Sequence, residues 1–166
     1  MAAASRFGAN VERVDLRDLQ IHHCRGCYYC ADSGICVQND DFEKLKLPLH
    51  LCDAVVLAAP IYYNCLSSQT MTAINRLCYT FACKQYQFGP PKKVGIFLTC
   101  TGSSPEEMQH QVDNIFTLPS IRRAVVDYKT EVFTDCNELD SCALNEAYLE
   151  RARAMAAWVC QRISLL

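Results

Sequence analysis

Two apolar runs dominate the pattern of hydrophobic and polar positions along the chain. Residues 54–59 and 94–98 contain no polar or charged side chain. A strand that is apolar on both faces is typical of a parallel sheet covered on both sides. Both runs are therefore predicted to be doubly buried parallel strands. A short strand is also predicted at 11–16, where apolar and polar residues alternate, and another within 124–133.

Helical patterns lie before and between these strands. Residues 2–7 are predicted to end a helix at Gly8, which suits the left-handed conformation of a helix end. Four more helices are predicted: one begins at Asp40 and is disturbed by Pro48, one begins at Ser67 or Ser68, one runs from Ser104 to about Leu118, and one spans 145–163. Their apolar positions include Met71, Ile74, Cys78 and Phe81, and later Leu149, Met155, Ala156, Val159 and Ile163.

Alternating strands and helices predict one α/β domain over residues 1–166, with a parallel sheet and helices on both faces. Ligands of such sheets bind in the crevice at the carboxyl ends of the strands. Three loops are therefore of interest: a cysteine-rich loop at 22–39 and the loops that follow the two apolar runs, at 60–64 and 99–103.

Composition narrows the class of protein. Hydrophobic residues make up 51% and charged residues 20%, which indicates a globular chain. Because the net charge is -2 and no basic stripe exists, a nucleic acid partner is not expected. The longest apolar run is far shorter than the ~20 residues of a membrane helix. With no export signal visible, we expect a cytoplasmic protein outside the membrane.

The most specific motif is formed by Cys24, Cys27, Cys30 and Cys36, with the spacing C-x2-C-x2-C-x5-C. Four thiols in one short loop are able to hold a [4Fe–4S] cluster, and Gly26 and Gly34 allow the tight backbone that this requires. Zinc is the second interpretation. The packed spacing favours iron–sulfur, because zinc sites usually have two separated pairs. The third interpretation is a loop of free thiols, beside which His22 and His23 are solvated.

The chain has 12 cysteines, and the other eight lie mostly in or beside apolar runs. Buried cysteine usually behaves as a small hydrophobic residue, which is the expectation for most of them. Cys65 and Cys100 are exceptions because they lie in the loops that follow the apolar strands. The remaining six are Cys52, Cys78, Cys83, Cys136, Cys142 and Cys160.

The order of these features resembles a known family. The cysteine motif is followed by Asp40-Asp41, by a buried strand ending in Ala59-Pro60-Ile61-Tyr62, and by a helix that contains Asn75-Arg76. This is similar to the iron–sulfur flavoprotein branch of the NADPH-dependent FMN reductase-like family, over about residues 1–120. The resemblance implies a flavodoxin-like fold that binds FMN at the strand ends, with a cluster that exchanges electrons with the flavin.

The resemblance also implies residue roles. Cys24, Cys27, Cys30 and Cys36 are implied as cluster ligands. The flavin loops are implied to be Pro60, Ile61, Tyr62, Tyr63 and Asn64 along the ring, and Thr99, Cys100, Thr101, Gly102 and Ser103 beside it. Backbone amides near the ring stabilise reduced flavin, and Tyr62 or Tyr63 lies against it. The alternative for the tyrosines is ordinary packing at a strand end.

One part of the family pattern has no counterpart in this sequence. The family begins with a buried strand and a Gly-rich loop that holds the FMN phosphate at a helix N-terminus. Residues 2–7 correspond to the end of that helix, so the first strand is expected to be absent. Because this strand is central in the order 2-1-3-4-5, strands 11–16 and 54–59 would keep unpaired edges.

Three explanations of this absence are open: a longer parent protein, which we favour, direct pairing of the two strands, or a strand supplied by another chain. We expect FMN to bind this sequence weakly or not at all, because the phosphate loop is missing. Tight binding in an equilibrium FMN titration would refute this expectation.

The leading functional prediction is an FMN and iron–sulfur oxidoreductase that moves electrons between NAD(P)H or a reduced carrier such as ferredoxin and an acceptor. No side chain is assigned as a catalytic nucleophile or base. The alternative is a metal-binding or thiol-redox module without flavin, and a third possibility is a plain FMN reductase with bystander cysteines. The resemblance implies a homo-oligomer with small-molecule or protein electron partners.

Overall fold

The computed structural model describes residues 1–82 and 91–161, without the side chains of 78–82. Four strands form one sheet in the order β2-β1-β3-β4. They are β1 (Ala54–Tyr62), β2 (Cys65–Leu66), β3 (Lys92–Thr99) and β4 (Val125–Phe133). β3 is parallel to both β1 and β4, and the short β2 is antiparallel to β1.

Eight helices are found in the described residues, and they connect or flank the strands. They are α1 (Ala2–Arg6), α2 (Tyr29–Ser33), α3 (Phe42–Leu51), α4 (Ser68–Ala82), α5 (Pro105–Phe116), α6 (Pro119–Arg122), α7 (Ser141–Leu144) and α8 (Glu146–Val159). The predicted α/β class with a mostly parallel sheet is therefore confirmed.

The central strand β3 shows why both faces of the sheet need helices. Its alternate residues Val94, Ile96 and Leu98 are buried in the main core, together with residues of α4 and α5. The opposite face carries Gly95, whose missing side chain leaves room for Met155 of α8. Since successive strand residues point to opposite faces, helices cover β3 on both sides, as the apolar run predicts.

The strand β1 is only partly as predicted. It is parallel to β3, but it is not buried on both faces, because Val56 is 52% exposed and Ala58 is also exposed. These two residues lie on the face that α8 covers at β3 and β4, and the helix does not extend its cover to them. The prediction of a doubly buried strand is therefore wrong for one face.

The predicted strand at 11–16 is also wrong. The chain has no strand assignment there and continues into a 3-10 turn at Leu16–Asp18. Among residues 1–82 and 91–161, β1 pairs with β3 on one edge, and only Ile61 and Tyr62 pair with β2 on the other. Alternating polarity does not make a strand without a neighbouring strand to accept its hydrogen bonds. Direct pairing of 11–16 with β1 is not observed in the described residues.

Most helix signals are confirmed, with local differences. Ser104 caps α5, and its hydroxyl accepts a hydrogen bond from the Glu107 N–H. Pro48 lies inside α3 and does not end it. Pro119 begins a separate short helix, Asn145 caps the predicted last helix α8, and the short α7 before it was not predicted. Predictions that involve the side chains of Cys78, Phe81, Cys83 and Ile163 lie outside the described residues.

Candidate functional site

The four motif cysteines lie around one pocket. Cys24, Cys27, Cys30 and Cys36 line a small, partly open pocket, together with Arg76 of α4. Cys27 is exposed and the other three thiols are partly buried. The loop thus brings together all four residues that the sequence singled out, and it adds a guanidinium group that the sequence analysis did not assign.

Tight backbone turns give the loop this shape. Gly26 and Gly34 have φ values of 65° and 70°, in the left-handed region that glycine adopts at no steric cost, as predicted. Tyr28 also has a positive φ, of 59°, immediately before α2. The Gly26 N–H donates to the Cys24 sulfur at 3.4 Å, which is the direction of hydrogen bonding that stabilises a thiolate ligand.

A buried ion pair holds the loop to the body of the domain. Both terminal nitrogens of the Arg76 guanidinium, Nη1 and Nη2, donate to the Asp40 carboxylate, at 2.7 and 3.0 Å. The side chains of Arg76 and Asp40 are only 1% and 2% exposed. Arg76 also donates to the His22 carbonyl oxygen at 2.7 Å and lies over the Phe42 ring. One guanidinium therefore joins the segments on both sides of the cysteine motif to α4.

The charges in this contact support one another. Burial by itself raises the pKa of Asp40, but hydrogen bonds from Arg76 and from the His22 and Phe42 N–H groups outweigh it and lower the pKa. Burial opposes the charge of Arg76 as well, yet Asp40 and Cys36 raise its pKa. Arg76 and Cys36 line the same pocket, so a fixed positive charge stands near one motif thiol.

One motif thiol, that of Cys30, has a raised pKa. Burial raises the pKa of Cys30, and the neighbouring thiols, Cys36 first, raise it further. A metal or cluster ligand must be the thiolate, so binding at this position releases a proton.

The geometry of the thiols differs from that of a site for one metal ion. In residues 1–82 and 91–161, no group of three or more His, Cys, Asp and Glu side chains has the spacing to hold a single ion. The four thiols line a common wall without converging on one point. They fit the chemistry of a cluster site by donor type, since iron–sulfur clusters are held by cysteine thiolates.

Two more predicted loops meet at the carboxyl ends of β1 and β3. Pro60 of β1 lies opposite Thr99 of β3 in the parallel register. After β1, Tyr63 and Asn64 form a two-residue turn with φ values of 50° and 56°, which leads directly into β2. Two positive φ values are typical of the tight turn of a β-hairpin.

Side chains connect the two loops across the crevice. The Ser103 hydroxyl donates to Oδ1 of Asn64 at 2.6 Å, and the side-chain amide of Gln111 in α5 donates to the Asn64 carbonyl oxygen. Cys100 is buried, and its N–H donates to the Phe133 carbonyl oxygen, whereas Thr101 and Gly102 are exposed. The strand β1 continues through Pro60, Ile61 and Tyr62, and β3 continues through Thr99, so these four of the ten predicted loop residues end the strands. The other six lie in the two adjoining loops, and the sequence analysis did not assign the bracing role of Gln111.

The two tyrosines do not pack into the core. Tyr62 is 61% exposed and Tyr63 is fully exposed. The alternative of ordinary strand-end packing therefore does not describe either side chain. Both rings are free to contact a planar ligand or a partner.

The helix α5 begins at this same edge but is poorly suited to bind an anion. Glu106 and Glu107 lie in its first turn. Acidic side chains there already use the partial positive charge of the helix N-terminus. A phosphate group placed at this helix start would be repelled.

The helix α4 connects the crevice to the cysteine pocket. It begins at Ser68, directly after β2, and Arg76 lies eight residues further, or about 12 Å along the helix axis. Arg76 falls on a buried stripe with Thr70 and Ala73, where a charged residue is unusual. In the sequence, a single basic residue on the apolar face of a predicted helix was the signal that could have indicated a buried acidic partner for Arg76.

Comparisons with known proteins place the chain in a class and then in a family. A solved NAD(P)H:quinone oxidoreductase from Methanothermobacter marburgensis superposes on 99% of this chain and 86% of its own, with a TM-score of 0.67 and 16% identity. This similarity establishes the flavodoxin-like fold. The model of the NADPH-dependent FMN reductase family matches residues 1–131, and the chain belongs to this family.

Curated relatives place it near one branch of that family. An iron-sulfur flavoprotein of Archaeoglobus fulgidus is 41% identical over 70 residues, or 42% of this chain and 32% of the relative. An iron-sulfur flavoprotein of Methanosarcina thermophila is 22% identical over 126 residues, which cover 76% of this chain and 64% of the relative. The chain thus spans between one third and two thirds of the length of these relatives. Of the described helices, none has the length and apolarity needed to cross a membrane.

Proposed function

We propose that this chain forms a single flavodoxin-like domain of an FMN-dependent, iron–sulfur-containing oxidoreductase. It transfers electrons between NAD(P)H or a reduced protein carrier and an acceptor. The observation that carries the proposal is the shared pocket of four cysteines beside a buried arginine. Membership of the FMN reductase family and the names of the curated relatives support it.

The proposed cluster ligands are Cys24, Cys27, Cys30 and Cys36. A [4Fe–4S] cluster at this position would supply a one-electron acceptor and donor. Arg76 places a positive charge near Cys36, where it would offset part of the negative charge of four thiolate ligands. Zinc is the alternative occupant by donor type and would make the loop structural, but the four thiols would first have to converge on one point.

The proposed flavin residues are the two loops at the carboxyl ends of β1 and β3, formed by Pro60, Ile61, Tyr62, Tyr63 and Asn64 and by Thr99, Cys100, Thr101, Gly102 and Ser103. FMN bound there would supply the conversion between two-electron and one-electron transfer. The Ser103–Asn64 hydrogen bond holds the two loops at a fixed separation. The exposed Tyr62 and Tyr63 rings offer flat surfaces to an isoalloxazine ring.

The partners follow from this assignment. We propose a small-molecule or protein electron donor and acceptor, a homo-oligomeric assembly and a cytoplasmic location. The balanced charge of the chain supports the absence of a nucleic acid partner.

Anaerobic electron transfer tests the proposal. The full chain, reconstituted with FMN, iron and sulfide, is mixed with NADPH or reduced ferredoxin, and flavin bleaching and reduction of a one-electron acceptor are followed. The proposal predicts both signals. In Cys27→Ser, flavin bleaching persists while cluster absorption and electron transfer to the acceptor are lost. Cys52→Ser changes a partly buried thiol outside the pocket and serves as the matched control, with wild-type behaviour expected.

Two outcomes contradict the proposal. If neither donor bleaches bound flavin, the chain is not a flavin-dependent oxidoreductase. If Cys27→Ser transfers electrons as fast as wild type, the cysteines are bystanders and the protein is a plain FMN reductase.

The acidic start of α5 favours a second candidate function. With Glu106 and Glu107 in the first turn, this helix does not offer an anion site for the FMN phosphate. The second candidate is a metal-binding or thiol-redox module without flavin. An equilibrium FMN titration separates the two candidates. The first predicts saturable quenching of flavin fluorescence, at the weak affinity expected of a chain that lacks the phosphate loop, and the second predicts none.

A further inference from the structure

Two thiols outside the cysteine pocket form a close pair. The sulfur atoms of Cys136 and Cys142 are 2.8 Å apart. Cys136 follows β4, and Cys142 lies in α7. Both residues are partly buried rather than sealed in the core, so small reagents are able to reach them. A disulfide has a sulfur–sulfur distance of about 2.05 Å, so bond formation needs a displacement of less than ~1 Å.

Backbone hydrogen bonds fix the first member of the pair. The Cys136 N–H donates to the Cys100 carbonyl oxygen at 3.0 Å, and the Cys100 N–H donates to the Phe133 carbonyl oxygen at 2.9 Å. These bonds extend the contact between β3 and β4 beyond the ends of the strands. Cys136 is therefore held beside the loop at 99–103.

A tight turn returns the chain to place the second member. The Ser141 N–H donates to the Glu138 carbonyl oxygen, and the Ser141 hydroxyl accepts from the Glu138 N–H. Asp135 and Asp140 have φ values of 56° and 68°, which are uncommon for residues other than glycine. The two thiols thus face each other because of a defined backbone path and not because of a chance side-chain contact.

We propose that Cys136 and Cys142 are a redox-active dithiol pair, which a low-molecular-weight disulfide such as oxidised glutathione converts to an intramolecular disulfide. One protein thiolate attacks a sulfur of the oxidant, forms a mixed disulfide and displaces one small thiolate. The second protein thiolate then attacks the mixed disulfide and displaces the other. The protein loses two electrons and two protons, and the oxidant becomes two thiols.

The surroundings of Cys136 agree with a resting dithiol state. Burial, together with the hydrogen bond to Cys142, raises the pKa of Cys136 to about 11. At neutral pH this residue is therefore a protonated thiol, whose sulfur lies 3.3 Å from the Phe133 carbonyl oxygen and donates a hydrogen bond to it. The disulfide would tie α7 to the end of β4, next to the candidate flavin loop but independent of the motif at 24–36.

Peptide mapping of the full chain tests the proposal. Cleavage after Lys129 and Arg151 gives one peptide, 130–151, that contains Cys136 and Cys142 and no other cysteine. The reduced chain is incubated with oxidised glutathione, quenched in acid, alkylated and digested. After oxidation we expect this peptide to be lighter by two hydrogen masses and to carry no alkyl group. After reduction we expect it to carry two alkyl groups.

Three single variants provide the controls. In Cys136→Ser and in Cys142→Ser, the remaining thiol keeps glutathione as a lasting mixed disulfide. Cys160→Ser changes another partly buried cysteine and closes the 136–142 disulfide as wild type does. If a variant fails to fold, the peptide map of the wild-type chain alone tests the proposal. Two alkyl groups on the oxidised peptide, a lasting glutathione adduct in wild type, or a bond to a third cysteine would each overturn the proposal.

Discussion

The cysteine pocket and the strand-end crevice are built in different ways. The crevice rests on a continuous parallel ladder in which seven residues of β1 each face a residue of β3. The pocket belongs to a loop whose only regular element is a five-residue helix, and one ion pair, Asp40 with Arg76, joins it to α4. The comparison teaches that the crevice depends on backbone pairing along whole strands, whereas the pocket depends on two side chains. Single substitutions should therefore affect the two regions very differently.

The largest effect is expected for Arg76→Met. The substitution leaves the Asp40 carboxylate buried without its partner, which costs about 3–5 kcal/mol of unfolding free energy. Iron binding to the loop should be lost as well, because the guanidinium also holds the His22 carbonyl oxygen, next to the cysteine motif. Urea unfolding and iron content measure the two effects.

Arg13→Met is the matched control. The Arg13–Asp15 pair is largely exposed, with 61% of the Arg13 side chain accessible, so its loss should cost at most about 1 kcal/mol. Equal destabilisation in both variants would show that the buried pair does not anchor the loop.

The same ion pair predicts a dependence on pH. The pKa of Asp40 is lower in the folded chain than in the unfolded chain, although burial opposes this. The contribution of the Asp40 carboxylate to the free energy of unfolding is complete above its unfolded pKa of about 3.9. It is lost as the pH falls through the lower pKa of the folded chain. The free energy of unfolding of wild type, measured in urea, should therefore fall more steeply below about pH 4 than that of Asp40→Asn. If the free energy of unfolding falls with pH equally steeply in both proteins, Asp40 does not contribute to the loss of stability in acid.

A smaller effect is expected in the sheet. In Gly95→Ala the added Cβ would lie 2.9 Å from the Met155 sulfur, so α8 or the Met155 side chain must shift. Because Met is flexible, the cost is about 1 kcal/mol in urea unfolding, at the low end of the range for overpacking. Gly102→Ala has open space around the new methyl group and should stay within about 0.5 kcal/mol of wild type. A larger loss for Gly102→Ala than for Gly95→Ala would contradict the packing of α8 on β3.

The smallest effect on stability is expected for Ser103→Ala. It removes the hydrogen bond to Asn64 at a site open to solvent, so unfolding free energy should change by no more than about 0.5 kcal/mol. FMN affinity should still fall several-fold, because the two loops would no longer be held together. Ser5→Ala removes an exposed side-chain hydrogen bond within α1, to the Met1 carbonyl oxygen, and is the control for fluorescence titration. Equal FMN affinity in the two variants would argue against the crevice as the flavin site.

The sequence predicted best those features that local signals determine. The apolar run at 94–98 and the capping residues Ser104 and Glu107 gave β3 and the start of α5 correctly, since each depends on neighbours in sequence. The four cysteines were recognised from spacing alone, and they do share a pocket.

Features that depend on distant residues were not predictable in this way. Segment 11–16 has the alternation of a strand but no ladder partner among the described residues. The exposure of Val56 depends on how far α8 extends over the sheet. Asp40 and Arg76 are 36 positions apart, so their pairing is visible only once α4 packs against the loop.

The most direct test of the account is the metal content of the full chain purified without oxygen, with its absorption and electron paramagnetic resonance spectra before and after reduction. The account predicts about four iron and four sulfide per chain, a broad cluster absorption and a signal on one-electron reduction, all lost in Cys27→Ser. Stoichiometric zinc, or no metal in a correctly folded chain, would contradict the assignment of the cysteine pocket to iron–sulfur chemistry.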